Sequence, residues 1–188
     1  ITWSVSPNLP NGLTIDSSTG EISGTPNVIS SSTTYTITAE NTGGSDTVSI
    51  TIEVNDVVPS ISYSGPPFTQ TINSTMPPAA PTVTGGTVVS WSVSPALPAG
   101  LVLSTTTGVI TGTPTIVSSS ATYTISATNT GGVGTTTVEI TVNDIAPSSI
   151  TYSTSTLSLT KGTPMTPITP SSTGGDVVLW SVTPNLPT

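Results

Sequence analysis

Cysteine, histidine and arginine are all missing from this chain, and Lys161 is its only basic side chain. Without cysteine there is no disulfide framework, so packing alone must hold whatever fold forms. Without histidine or cysteine the usual nucleophile–base pairs cannot be assembled, and serine–lysine chemistry would rest on Lys161 alone. Lys161-Gly162-Thr163 also lacks the upstream glycine of a phosphate-binding loop. A formal net charge of −8 leaves nothing to neutralise phosphates or to anchor a polybasic segment, which argues against nucleic acid and anionic membranes as partners. No apolar run approaches the roughly 20 residues of a membrane helix, so direct membrane insertion is not expected. Charged residues are 5% of the chain, far below the roughly 25% of an ordinary soluble domain. A surface so poor in lysine and so rich in serine and threonine gives trypsin-like proteases little to cut, which points to an extracellular or cell-surface protein. The chain starts at Ile1 without a signal peptide, so targeting information is expected outside this segment.

What is present is a long repeat. Trp3 to Pro26 reads WSVSPNLPNGLTIDSSTGEISGTP, Trp91 to Pro114 reads WSVSPALPAGLVLSTTTGVITGTP, and WSVTPNLPT begins at Trp180. The tryptophan spacings are 91 − 3 = 88 and 180 − 91 = 89 residues. A fixed long period marks a tandem array. It divides the chain into 1–58, the C-terminal part of a first repeat, 59–144, a complete repeat, and 145–188, the N-terminal part of a third.

Within a repeat the apolar residues alternate rather than recur every three or four positions, which predicts strands and no helices. Trp91 and Val93 alternate with Ser92 and Ser94; Tyr123, Ile125 and Ala127 with Thr124 and Ser126; Val138, Ile140 and Val142 with Glu139 and Thr141. The period-2 phase places Trp91, Val93, Leu101, Ile110, Tyr123, Ile125, Val138 and Ile140 inside and Ser92, Thr124 and Glu139 outside. Leu97-Pro98-Ala99-Gly100 has proline second and glycine fourth, as a type I turn prefers. Met76 to Pro81 reads as a proline-rich bend, and Asn129-Thr130-Gly131-Gly132 as a tight reversal between two long strands. About seven short strands with turns at close intervals make an all-β, immunoglobulin-like sandwich for each repeat of 88–89 residues.

The motifs W-S-V, L-P-x-G-L, S/T-x-T-G, I-x-G-T-P and Y-T-I-x-A-x-N-T-G-G, closed by an alternating strand, together resemble one known family. It is the immunoglobulin-like, cadherin-related (dystroglycan-type) domain that occurs in tandem in large bacterial and archaeal surface proteins. The resemblance implies a β-sandwich used in series as an adhesin stalk or surface fibre, and it implies no particular ligand. The function expected is therefore a non-catalytic spacer whose partners are neighbouring repeats of the same or identical chains. The rival reading is a carbohydrate- or protein-binding module of a secreted protein, with surface glycans as partners. Tyr63 or Phe68 lying solvated in a groove would favour that rival.

The candidate sites are few. Of nine acidic residues only Asp56 and Asp144 occupy equivalent places, whereas Asp16 is matched by Ser104, Glu21 by Val109, Asp46 by Gly134 and Glu53 by Thr141. A glycosidase needs two positioned carboxylates, and no such pair recurs within the repeats. Asn55-Asp56 and Asn143-Asp144 sit at the joints, each aspartate three residues before a proline. This is similar to cadherin linkers, where such oxygens help to hold calcium. Calcium takes six to eight oxygens, usually from several carboxylates, and the further acids are not evident, so turn capping is the preferred role and no cofactor is expected. Asn73-Ser74-Thr75 is the one N-glycosylation sequon, in a predicted loop. A lysine–asparagine isopeptide staple would need a lysine in each repeat. Trp91 and Tyr123 are expected in the core, not as a sugar-stacking platform. Residues 1–58 lack the strands that open a repeat and 145–188 hold little else, so both ends are expected to be completed by other polypeptide. That polypeptide would be either more of a longer chain, the preferred reading, or a second copy by strand complementation.

Overall fold

The computed structural model describes residues 1–186. The first repeat contributes β1 (Thr2–Ser6), β2 (Leu13–Ile15), β3 (Ile22–Gly24), β4 (Ser30–Asn41) and β5 (Gly44–Val54). The second contributes β6 (Ser60–Tyr63), β7 (Phe68–Thr71), β8 (Met76–Ala79) and β9 (Pro81–Thr84). It continues with β10 (Ser90–Ser94), β11 (Leu101–Leu103), β12 (Ile110–Gly112), β13 (Ser118–Asn129) and β14 (Gly132–Asn143). The third adds β15 (Ser148–Tyr152) and β16 (Pro170–Thr173). No helix occurs among the described residues.

In the second repeat one sheet runs β10-β13-β14-β7, and β11-β12-β8 and β6-β9 face it as the other layer. All its pairings are antiparallel except β14 with β7. The nine runs amount to seven strands. β6 and β7 are halves of one strand interrupted at residues 64–67, and β8 and β9 are halves of the next, which changes partner at Ala80. Met76 to Pro81 is thus extended strand and not a bend. Its prolines are tolerated because β8 is an edge strand, where a missing N–H breaks no ladder.

The alternation does set the layers. Trp91, Leu101, Ile110, Tyr123, Ile125, Val138 and Ile140 are buried together, with Ile61, Met76 and Ala127. Val93 is half-buried against them, and Ser92, Thr124 and Glu139 are exposed. Trp91 lies at the centre of the recurring motif for a steric reason. A Cβ on Gly108 would sit 2.6 Å from the indole ring, so the S/T-x-T-G turn closes over that ring only with glycine. The Leu-Pro-x-Gly turn is shifted by one residue from the expected type I turn. Leu101 N donates to Pro98 O at 2.9 Å, and Gly100 takes the third place with φ +93°, the mark of type II.

The outer repeats repeat these pieces in part. β1-β4-β5 matches β10-β13-β14, and β2-β3 matches β11-β12. Tyr35 and Ile37 are buried, while Trp3, the counterpart of Trp91, is only half-buried. β15 pairs with β16 as β6 does with β9. Residues 155–165 form no strand, and Leu157 and Met165 are exposed where Phe68 is half-buried and Met76 buried. In the second repeat β7 gains its ladder from β14 and β8 from β12, elements that residues 145–186 do not contain.

Candidate functional site: the joint between repeats

The two aspartates that recur are spent on the backbone. β5 ends at Val54, and the chain then enters a slot on the second repeat. Asp56 N donates to Thr130 Oγ1 at 3.1 Å. The Asp56 carboxylate accepts from Val57 N at 2.8 Å through Oδ1 and from Thr87 N at 3.0 Å through Oδ2. The Val57 carbonyl in turn accepts from Gly86 N at 3.1 Å and from Asn129 Nδ2 at 2.7 Å. Asn129 is a buried polar side chain, and its own Oδ1 accepts from Gly131 N at 2.8 Å. With its amide nitrogen turned inward, Asn55 donates to the Thr130 carbonyl at 3.0 Å and to Glu53 Oε1 at 3.3 Å. Asp56 to Val58 therefore packs as the start of the second repeat.

The walls of the slot are glycines because the linker backbone touches them. A Cβ would lie 1.9 Å from Asp56 O at Gly131 and 1.8 Å from Pro59 O at Gly134. At the following joint Asp144 Oδ1 accepts from Ile145 N at 2.7 Å, and a Cβ on Gly175 would lie 2.0 Å from Ile145 O. Asn143 contributes its carbonyl, which accepts from Ile72 N at 2.9 Å. For a resident calcium ion the donor set does not fit: both Asp56 oxygens face N–H groups, and among the described residues no three acidic side chains cluster.

Sequence reasoning reached Asn55, Asp56, Asn143 and Asp144 but missed Asn129, Thr87 and the glycine walls. The signal was there: Asn-Thr-Gly-Gly recurs at 41–44 and 129–132, and Thr-Gly-Gly at 84–86 and 173–175. Asn-Thr-Gly-Gly reads as a turn, which gives no reason why two glycines should follow one another.

The remaining candidates lie apart from the joint. Asn73 is exposed in the turn after β7 with φ +62°, and its N–H donates to Pro114 O at 2.8 Å. The sequon hydroxyl of Thr75 is paired with Thr113 Oγ1 at 3.0 Å. Asp16 caps its own turn, and the Ser18 hydroxyl followed by the Ser18 and Thr19 amides holds its carboxyl down to about 2. Ser104 caps the equivalent turn through its hydroxyl, accepting from Thr107 N at 3.1 Å. Phe68 is half-buried against the core, and neither it nor Tyr63 lies solvated in a groove. Tyr63 donates its hydroxyl to the Gly108 carbonyl, and burial pushes the phenol up to about 12.

That last shift has a measurable consequence. The Tyr63 phenol titrates at 10.0 in the open and at about 12 in the fold. A raised acid leaves stability whole below 10.0 and removes it as pH climbs through about 12. Tyr63→Phe is expected to lower stability by about 1 kcal/mol near neutrality, through the lost hydrogen bond. It should also flatten the alkaline fall in that same window, as read by denaturant midpoints at several pH values.

A repeated all-β sandwich entered through a hydrogen-bonded linker defines a tandem immunoglobulin-like class of protein. The "Putative Ig domain" family matches residues 1–55 and again 56–143, and the chain belongs to that family. It is 33% identical over 144 residues to the "Serine-rich adhesin for platelets" of Staphylococcus aureus, covering 74% of this chain and 6% of that protein. The same-named protein of strain MRSA252 is 34% identical over 145 residues, covering 74% and 11%. The chain thus spans only a small part of these relatives. Among solved structures, Drosophila OTK extracellular domains 3-5 match at TM-score 0.46 and 16% identity over 75% of this chain and 50% of that one. Human CDH23 EC21-23 matches at TM-score 0.40 and 14% identity, over 91% and 68%.

Proposed function

We propose that the chain is a non-catalytic spacer in the stalk of a surface or extracellular adhesin-type protein. The observation that carries this reading is the use of Asp56 and Asp144. The only acids the repeats share accept from backbone amides at the joints, through both oxygens of Asp56 and one of Asp144, where they serve the geometry of the linker. The similarity to staphylococcal adhesins supports the reading. The 12-residue strands β13 and β14, at about 3.3 Å per residue, give each repeat a length of roughly 40 Å. The polar, nearly uncharged Ser/Thr face of each sheet stays hydrated and offers few partners a grip. The neighbours it meets are other repeats.

The relatives' name favours one second reading, adhesion by the repeat itself to a cell-surface protein or glycan. Arrays of one, two and four copies of residues 56–143, placed between a cell-wall anchor and an epitope tag, separate the two. A spacer raises the tag by roughly 40 Å per copy and leaves binding to platelets and immobilised glycans at background. Binding that grows with copy number, with no change in tag height, would overturn the spacer reading.

A further inference from the structure

We infer that Asp56, with Asn129, is a calcium-independent clamp that reduces the joint between the first two repeats to a one-residue pivot. The inference concerns the joint alone and stands whether or not the chain serves as a spacer.

Count the groups that are tied. β5 is paired to β4 as far as Val54, which lies opposite Ser30. From Asp56 onward the main chain belongs to the second repeat, through Asp56 N to Thr130 and Val57 O to Gly86 and Asn129. Only the main chain of Asn55 lies between, untied, while its side-chain amide reaches Thr130 and Glu53. A trans peptide leaves two soft dihedrals per residue, so the joint has about two degrees of freedom where a linker of five loose residues has about ten.

The clamp works because each partner can serve two masters. A carboxylate has about four acceptor sites. Asp56 uses one oxygen to fix its own chain at Val57 and the other to reach Thr87 in the β9–β10 loop. A carboxamide carries both an acceptor and donors. Asn129 shapes the β13–β14 turn with its oxygen and seizes the linker with its nitrogen. The turn does not depend on the linker for its shape, since Asn41 Oδ1 accepts from Gly43 N at 2.8 Å in the first repeat in the same way. The slot is therefore a preformed feature of the fold, and the aspartate is the key that enters it. A calcium-dependent joint would turn those carboxylate oxygens outward to an ion; here both face amides.

The test uses the 188-residue chain, whose lack of cysteine makes paired labelling specific. Spin labels on Ser49→Cys in β5 and Thr137→Cys in β14, both exposed positions, report the distance across the joint. A second pair within the second repeat, Val102→Cys with Thr137→Cys, reports its fold. The cross-joint distribution is expected to be narrow, to widen at least twofold in Asp56→Ala and in Asn129→Ala, and to fall between in Asp56→Asn, which keeps one acceptor. Excess chelator should leave it unchanged. An Asp56→Ala distribution as narrow as the parent's, or a parent as broad as the variant, would overturn the clamp. Widening of the internal pair as well would assign Asp56 to the fold of the repeat and not to the joint. Widening on chelation would assign the joint to a metal ion.

Discussion

Trp91→Ala is expected to cost about 3–5 kcal/mol, the upper end of large-to-small core changes. The ring is buried on every side that matters. It is 5% exposed, its strand β10 is paired along its length to β13, and the glycine turn closes over the indole. Removing it leaves a cavity between the Gly108 turn and the side chains of the core, which relax into it only in part. The same substitution at Trp3 should cost less, because that ring is already partly exposed. Equilibrium denaturation of the two single variants, followed by the fluorescence of the tryptophans that remain, gives the comparison. Equal losses at the two sites would show that the burial of Trp91 is not what sets its contribution.

Gly108→Ala approaches the same ring from the other side and should also be strongly destabilising. Two costs combine. At φ +70° an L-residue pays about 1–2 kcal/mol for the left-handed backbone. The new methyl would stand 2.6 Å from the Trp91 ring, and forcing extra volume into a packed core costs about 1–3 kcal/mol. The costs are separable. In a Trp91→Ala background the methyl has room, so Gly108→Ala should there retain only its backbone part. A double-mutant cycle by thermal or urea unfolding reads this as a coupling of about 1–3 kcal/mol. A coupling of zero would mean that the turn, and not the ring, rejects the side chain.

Much of this was legible from residue order, and the reasons differ by element. The register of β10, β13 and β14 followed from alternation alone, because a sheet with one wet face admits no slip without exposing Ile125 or Ile140. The division of two strands into β6–β7 and β8–β9 was not legible. Where a strand leaves one sheet for the other depends on which neighbour it meets, and Met76 to Thr84 alternates poorly and is crowded with proline. The joint was half legible. Asp56 and Asp144 stood out because they recur, but a carboxylate that caps a linker and one that holds an ion look alike until its partners are seen. Asn129 was hidden by its company, since N-T-G-G reads as a turn whether or not its amide reaches 72 residues back to Val57.

The single parallel ladder of the repeat, Ile140 to Asn143 along Phe68 to Thr71, governs how a pulled array gives way. One of these strands belongs to the way in and the other to the way out, and they lie side by side pointing in the same direction. Tension on Pro59 and Asp144 drags them in opposite senses along their common axis. The load then falls on all the rungs together, in shear. Hydrogen bonds loaded in parallel fail as a group, whereas those of a hairpin pulled open from its ends fail one by one. A repeat wired in this way can resist a sudden pull even where its equilibrium stability is modest.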